Sequence, residues 1–256
     1  MTHDALAVFS ELVQRFAPDL LRKARPAPAA SLAALERAAK VPLPDDYRRF
    51  LETMGGNTRG ELRPLWPDDE LNVDFATQSY SDPARPTPAG WLFLLQRFEY
   101  DLPSYCWHLA PVTAELPAHP LGAFRVAHGR IDGTTLLGSV AHYACLEHWL
   151  CEWAFGLIHP DQEESYLRFH RSEPGECDAT EYFRQVVEDA GFTRYAGGGD
   201  GDWHTLYSRD DDTWLWLEGK PTTLELFGLY SLRIRAPTQE LRSAVADLIH
   251  EELGPE

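Results

Sequence analysis

A chain of 256 residues can hold one large domain or two modest ones, each with an ample apolar core. Its 40 acidic and 23 basic residues give a formal net charge of −17. Such a field opposes nucleic acid and anionic membrane surfaces and attracts basic proteins. The longest purely apolar run, "WLFLL" at 91–95, is too short to cross a bilayer. The four cysteines lack the spacing of a disulfide framework, and the first segment lacks the marks of a leader, so a cytoplasmic location is expected.

In chain order, Leu6, Phe9, Leu12, Val13 and Phe16 recur at helical spacing and predict a helix over about 4–16. A Pro/Ala linker (24–31) follows, with Ser31 as the expected N-cap of a helix that turns Leu32, Leu35 and Ala39 inward. The stretch "KVPLPDDYRRFLETMGGN" (40–57) is a complete short helix over about 44–54. Pro44 suits its first turn, Asp45 and Asp46 its positive dipole end, and Tyr47, Phe50, Leu51 and Met54 form one apolar stripe. Gly55 and Gly56 suit a left-handed closure. Asp45 and Asp46 point to different sides of the helix, so the stretch is structural and not catalytic. Within residues 57–90 only 71–76, "LNVDFA", has a strand-like pattern. Strands are predicted at 91–96, 105–110, 122–129 and 133–140, punctuated as an antiparallel meander. A largely buried helix is predicted over 143–157.

The stretch 170–178 has the composition of a linker, which predicts a first domain over 1–170 and a small α-β-β-β-α domain over 178–256. Asp178 and Glu181 form a capping box for a helix that buries Phe183, Val186, Val187 and Ala190 and ends at Gly191. Strands follow at 203–208 and 213–218, joined by the turn "RDDD", and at 222–229. Thr238 caps a last helix that carries Leu241, Val245, Leu248, Ile249 and Leu253 inward. The fold class is therefore α+β, a mostly antiparallel sheet with surrounding helices followed by the small domain.

Chemistry-bearing clusters are few. His142, Cys145, His148 and Cys151 rotate around a helix instead of converging on a metal, so the cysteines belong to the core. "GGGDGD" at 197–202 lacks both the Lys-Ser/Thr of a phosphate loop and the terminal Glu of a calcium loop. No catalytic motif is present, so no catalytic, cofactor-binding or metal residue is assigned.

The run "LAALERAAKVPLPDDYRRFLETMGG" resembles the start of the SMI1/KNR4 family, or SUKH superfamily. The resemblance is carried by Leu35-Glu36, Leu43-Pro44, Asp46-Tyr47, Phe50-Leu51 and Gly55-Gly56-Asn57, the last a permuted form of the family's Asn-Gly-Gly turn. It covers about 1–160, with "HYACLEHWLCEW" in the place of the family's closing helix; the C-terminal domain resembles no family. The resemblance implies an α+β fold and, for bacterial members, an immunity protein that neutralises a cognate toxin, often a nuclease. It implies no catalytic residue.

A non-enzymatic binding module for a basic toxin domain is thus expected, with no cofactor, no nucleic acid and no membrane. An intracellular scaffold is the alternative, and an enzyme with an unrecognised site the less favoured one. Two acidic, Trp-bearing loops are the candidate partner surfaces: Trp66 with Asp68, Asp69 and Glu70, and Trp203 with Asp200, Asp202, Asp210, Asp211 and Asp212.

Overall fold

The computed structural model describes residues 6–40, 42–57, 61–62, 69–70, 72–81, 92–97, 105–111, 124–132, 135–143, 146–171, 179–197, 204–221 and 228–253. Among them are eight helices and two five-stranded antiparallel sheets, an α+β fold. The chain divides into two compact units, Met1–Ala154 and Phe155–Glu256.

The first unit opens with α1 (Ala7–Phe16) and α2 (Pro18–Lys23). Phe9, Leu12 and Val13 are buried as their spacing predicts. Leu6 at the N-cap of α1 offers no side-chain acceptor; instead the Glu147 carboxylate accepts from the Val8 and Phe9 N–H groups at 2.8 and 3.3 Å. A negative group at that end also suits the helix dipole. Helix α3 (Ala29–Ala39) starts two residues before the expected cap. The Ser31 and Leu32 N–H groups bond back to the Pro28 carbonyl, which places Ser31 inside the first turn and Pro28 at the N-cap.

Helix α4 (Asp45–Met54) keeps the predicted stripe: Tyr47, Phe50, Leu51 and Met54 are all buried. Pro44 is its N-cap and not its first helical residue. Gly55 is right-handed (φ −74°), so the expected left-handed closure does not occur there. The glycines answer a need for space instead. A Cβ on Gly56 would stand 2.5 Å from the Pro26 carbonyl oxygen, because Gly56 N–H bonds the Arg25 carbonyl at 2.8 Å. Asn57 completes the junction. Its Oδ1 accepts from Arg25 N–H at 2.7 Å, its Nδ2 donates to the Lys23 carbonyl at 2.9 Å, and its own carbonyl accepts from Asn72 Nδ2 at 2.7 Å.

Of the strand-like stretch 71–76, Leu71 lies outside the described residues and 72–76 are not a strand. Helix α5 (Val73–Ser79) occupies this stretch, capped by Asn72, whose Oδ1 accepts from the N–H groups of Asp74 and Phe75. Val73 and Ala76, three apart, are buried, and the Asx cap decides helix over strand. The four predicted strands form an antiparallel meander, β2 (Leu92–Arg97), β3 (Tyr105–Pro111), β4 (Phe124–Asp132) and β5 (Thr135–Tyr143), and a two-residue strand that the sequence did not suggest, β1 (Asp69–Glu70), pairs antiparallel with β2 at its edge. Helix α6 (Leu146–Phe155) closes the unit and buries Trp149, Leu150 and Cys151.

The second unit holds β6 (Ser165–Arg171), α7 (Ala179–Asp189), β7 (Thr193–Gly197), β8 (His204–Ser208), β9 (Trp214–Pro221), β10 (Gly228–Arg235) and α8 (Gln239–Leu253). Its sheet runs β6-β10-β9-β8-β7. Strand β6 runs into the first two residues of the expected linker, and it pairs with β10 from Ser165↔Ile234 to Arg171↔Gly228. The division of the chain therefore falls at 154/155, earlier than 170–178, and the α-β-β-β-α expectation misses β6 and β7. Of the strand expected at 222–229, Gly228 and Leu229 open β10 (Gly228–Arg235), while residues 222–227 and Asp178 lie outside the described residues.

Alternation sorts the two faces of this sheet. Leu215, Leu217, Leu232 and Ile234 join Phe183 and Val187 of α7 and Val245 and Ile249 of α8 in one core. Leu248, expected inward, is 37% exposed, because Val245 and Ile249 already occupy the inner line of α8. Gly191 ends α7 in the left-handed conformation (φ 85°), with Gly191 N–H to the Glu188 carbonyl and Phe192 N–H to the Val187 carbonyl. This paired closure is a Schellman motif. The Thr238 hydroxyl accepts from Leu241 N–H at 3.2 Å and caps α8, as expected.

Candidate functional site

The β8–β9 connection brings three of the candidate carboxylates together. Asp212 N–H bonds the Arg209 carbonyl at 3.0 Å and Arg209 N–H bonds the Thr213 carbonyl at 2.9 Å, with Asp212 left-handed at φ 61°. This is a three-residue hairpin loop whose last position usually prefers glycine; aspartate is among the few side chains that tolerate it.

Each residue of the loop is held differently. Arg209 Nε and Nη2 donate to one oxygen of Asp211 at 2.9 and 2.6 Å, and its guanidinium carbon lies 4.8 Å over the Phe192 ring. Thr213 N–H donates to the other Asp211 oxygen at 3.2 Å. These hydrogen bonds, Arg209 foremost, hold the Asp211 carboxyl below the usual carboxylate range. The Asp212 carboxylate accepts from Trp214 Nε1 at 2.9 Å, and His159 Nε2 sits 2.9 Å from the Asp212 carbonyl and 3.4 Å from its carboxylate. Asp210 is exposed, and its carboxylate has no bonding partner among the described residues.

Beside the loop is an open cavity of about 500 Å³ lined by Arg184, Glu188, Phe192, Thr193 and Arg194. Phe192 is shared between this cavity and the Arg209 stack. Tyr207 is buried in the adjoining core, and that burial pushes its phenol up to about 12, against the opposing pull of Arg184 and Arg194.

The other candidates are placed less fully. Asp69 and Glu70 form β1, in register with Arg97 and Gln96. Trp66, Asp68, Asp200, Asp202 and Trp203 lie outside the described residues. The residues that organise the loop, namely Arg209, Phe192, Trp214 and His159, are absent from the sequence-based set. Arg209 adjoins the acidic run, but nothing in the sequence links His159 to a loop 53 positions away. Among the described residues no three His, Cys, Asp or Glu side chains gather as metal ligands. Chemically, the loop offers fixed carboxylates to a cationic partner. Comparison with protein-family models, with curated proteins and with solved structures finds no match for the chain.

Proposed function

We propose that this chain is a non-enzymatic protein-binding module of the immunity type, which acts in the cytoplasm on a cognate bacterial toxin with a basic, nucleic-acid-cleaving face. The observation that carries this reading is the Arg209–Thr213 loop. Its backbone is closed by two hydrogen bonds, and Asp211 and Asp212 are locked by Arg209, Trp214 and His159 before any partner arrives. Such preorganisation lowers the ordering cost of binding. The net charge of −17 supplies long-range attraction for a basic face, and the resemblance of residues 35–57 to the SMI1/KNR4 signature points the same way.

The test is co-expression with the toxin domain encoded beside this gene, read as growth rescue and as a complex on size exclusion. Rescue is expected, and Asp210→Arg should weaken the purified complex by about tenfold or more, as for other like-charge contacts placed in an interface. Absence of both rescue and complex would overturn the reading.

A further inference from the structure

Strand β6 lies at the edge of the second sheet: β10 pairs with one side of it, and among the described residues no strand pairs with the other. Unpaired edges are templates for a further chain, and native proteins blunt them with bulges, prolines or charge. The opposite edge, β7, is interrupted by a register shift between Arg194 and Ala196. Strand β6 has an unbroken register over all seven residues and contains no proline.

Its charge is also unlike that of the rest of the chain. Strand β6 carries Arg168, His170 and Arg171 and no acid, in a protein of net charge −17. Of the two acids just before it, Glu164 is already engaged by Arg233 and Arg235 at 2.7 and 3.0 Å, and Glu163 is exposed, 3.5 Å from Arg242. Tyr166 is 47% exposed, and the Arg168 guanidinium lies 5.1 Å over its ring. The strand thus presents a flat aromatic-cationic pair beside a row of main-chain hydrogen-bonding groups.

We propose that β6 is a docking edge that takes an extended, acidic segment of a partner protein as a sixth strand of the sheet. Main-chain hydrogen bonds supply the pairing, and Arg168 selects carboxylates placed opposite it. A second copy of this chain suits the edge less well for the same reason. Antiparallel self-pairing about the strand's centre sets Arg168 against Arg168 of the other copy, and like charges directly opposite one another destabilise a pair. This surface is separate from the acidic loop, so failure of either proposal leaves the other standing.

The test uses the full chain and a fluorescein-labelled peptide that alternates Glu with Val, followed by anisotropy and by amide hydrogen exchange. The peptide should bind, slow exchange within 165–171, and bind at least about tenfold more tightly than its Lys-for-Glu counterpart. N-methylation of alternate peptide residues should abolish binding, an arm that alters nothing in the protein. Arg168→Glu, at an exposed position and checked for folding by circular dichroism, should reverse the preference between the two peptides. Equal binding of both peptides, indifference to N-methylation, or no added protection in β6 would overturn the proposal. So would displacement of the peptide by a single-stranded oligonucleotide, or a dimer in sedimentation that protects β6.

Discussion

Gly56 and Asn57 are positions where one atom decides the outcome. A methyl group on Gly56 meets the Pro26 carbonyl oxygen, a backbone atom that cannot rotate aside. At Gly191 a Cβ would find its nearest neighbour at 3.8 Å, so only the left-handed backbone resists substitution. Gly56→Ala should therefore cost about 3 kcal/mol and Gly191→Ala about 1 kcal/mol, an order that urea unfolding would reverse if closure and not space governed Gly56. Asn57→Ala removes two donors and an acceptor from a buried junction and strands the Arg25 N–H; a loss of about 3 kcal/mol is expected in the same assay. The sequence marks Gly-Gly-Asn as an end point. It does not show that residues 23–27 and Asn72 meet there, because that contact joins segments with no local signal for each other.

At the scale of elements, amphipathic periodicity was legible and charge-bearing strands were not. The Tyr47–Met54 stripe and the β2–β5 meander follow from spacing and punctuation alone. Strand β10 alternates Leu232 and Ile234 with Arg233 and Arg235, and two arginines in such a run suggest a solvated segment. Both in fact share the Glu164 carboxylate, from a residue about seventy positions earlier. Two pH responses belong to this scale. The pull of Arg209 on Asp211 lowers the folded-state value, so its contribution is present above the ordinary carboxylate range and is lost as pH falls from there through the lowered folded-state value. On an exposed loop this amounts to about 0.5 kcal/mol, which Arg209→Ala should erase from an acid titration of stability. Tyr207 behaves in the opposite sense. Its folded value of about 12 lies above the ordinary 10, so its contribution is complete below pH 10 and is lost as pH rises through 12. Tyr207→Phe should flatten that alkaline arm of the stability curve, followed beside the tyrosinate absorbance.

Across the whole molecule the acidity is uneven: residues 160–256 hold 21 acids and 9 bases, while 1–159 hold 19 and 14. A basic partner should accordingly associate more slowly as salt rises, by about tenfold or more between low and physiological ionic strength, with little change in dissociation rate. Stopped-flow association at several salt concentrations measures this, and a salt-independent rate would contradict electrostatic steering. Composition alone made this charge legible, whereas the place of the division at 154/155 was hidden by the pairing of β6 with a strand some sixty residues later. The Glu147 carboxylate that closes the first turn of α1 lies 139 residues downstream of Val8. On a ribosome adding 5–20 residues per second, α1 would wait on the order of ten seconds for its cap. Helix α1 is thus secured only when the last helix of its own unit has been made, and any nascent chain that stops short of residue 147 carries it with an open end.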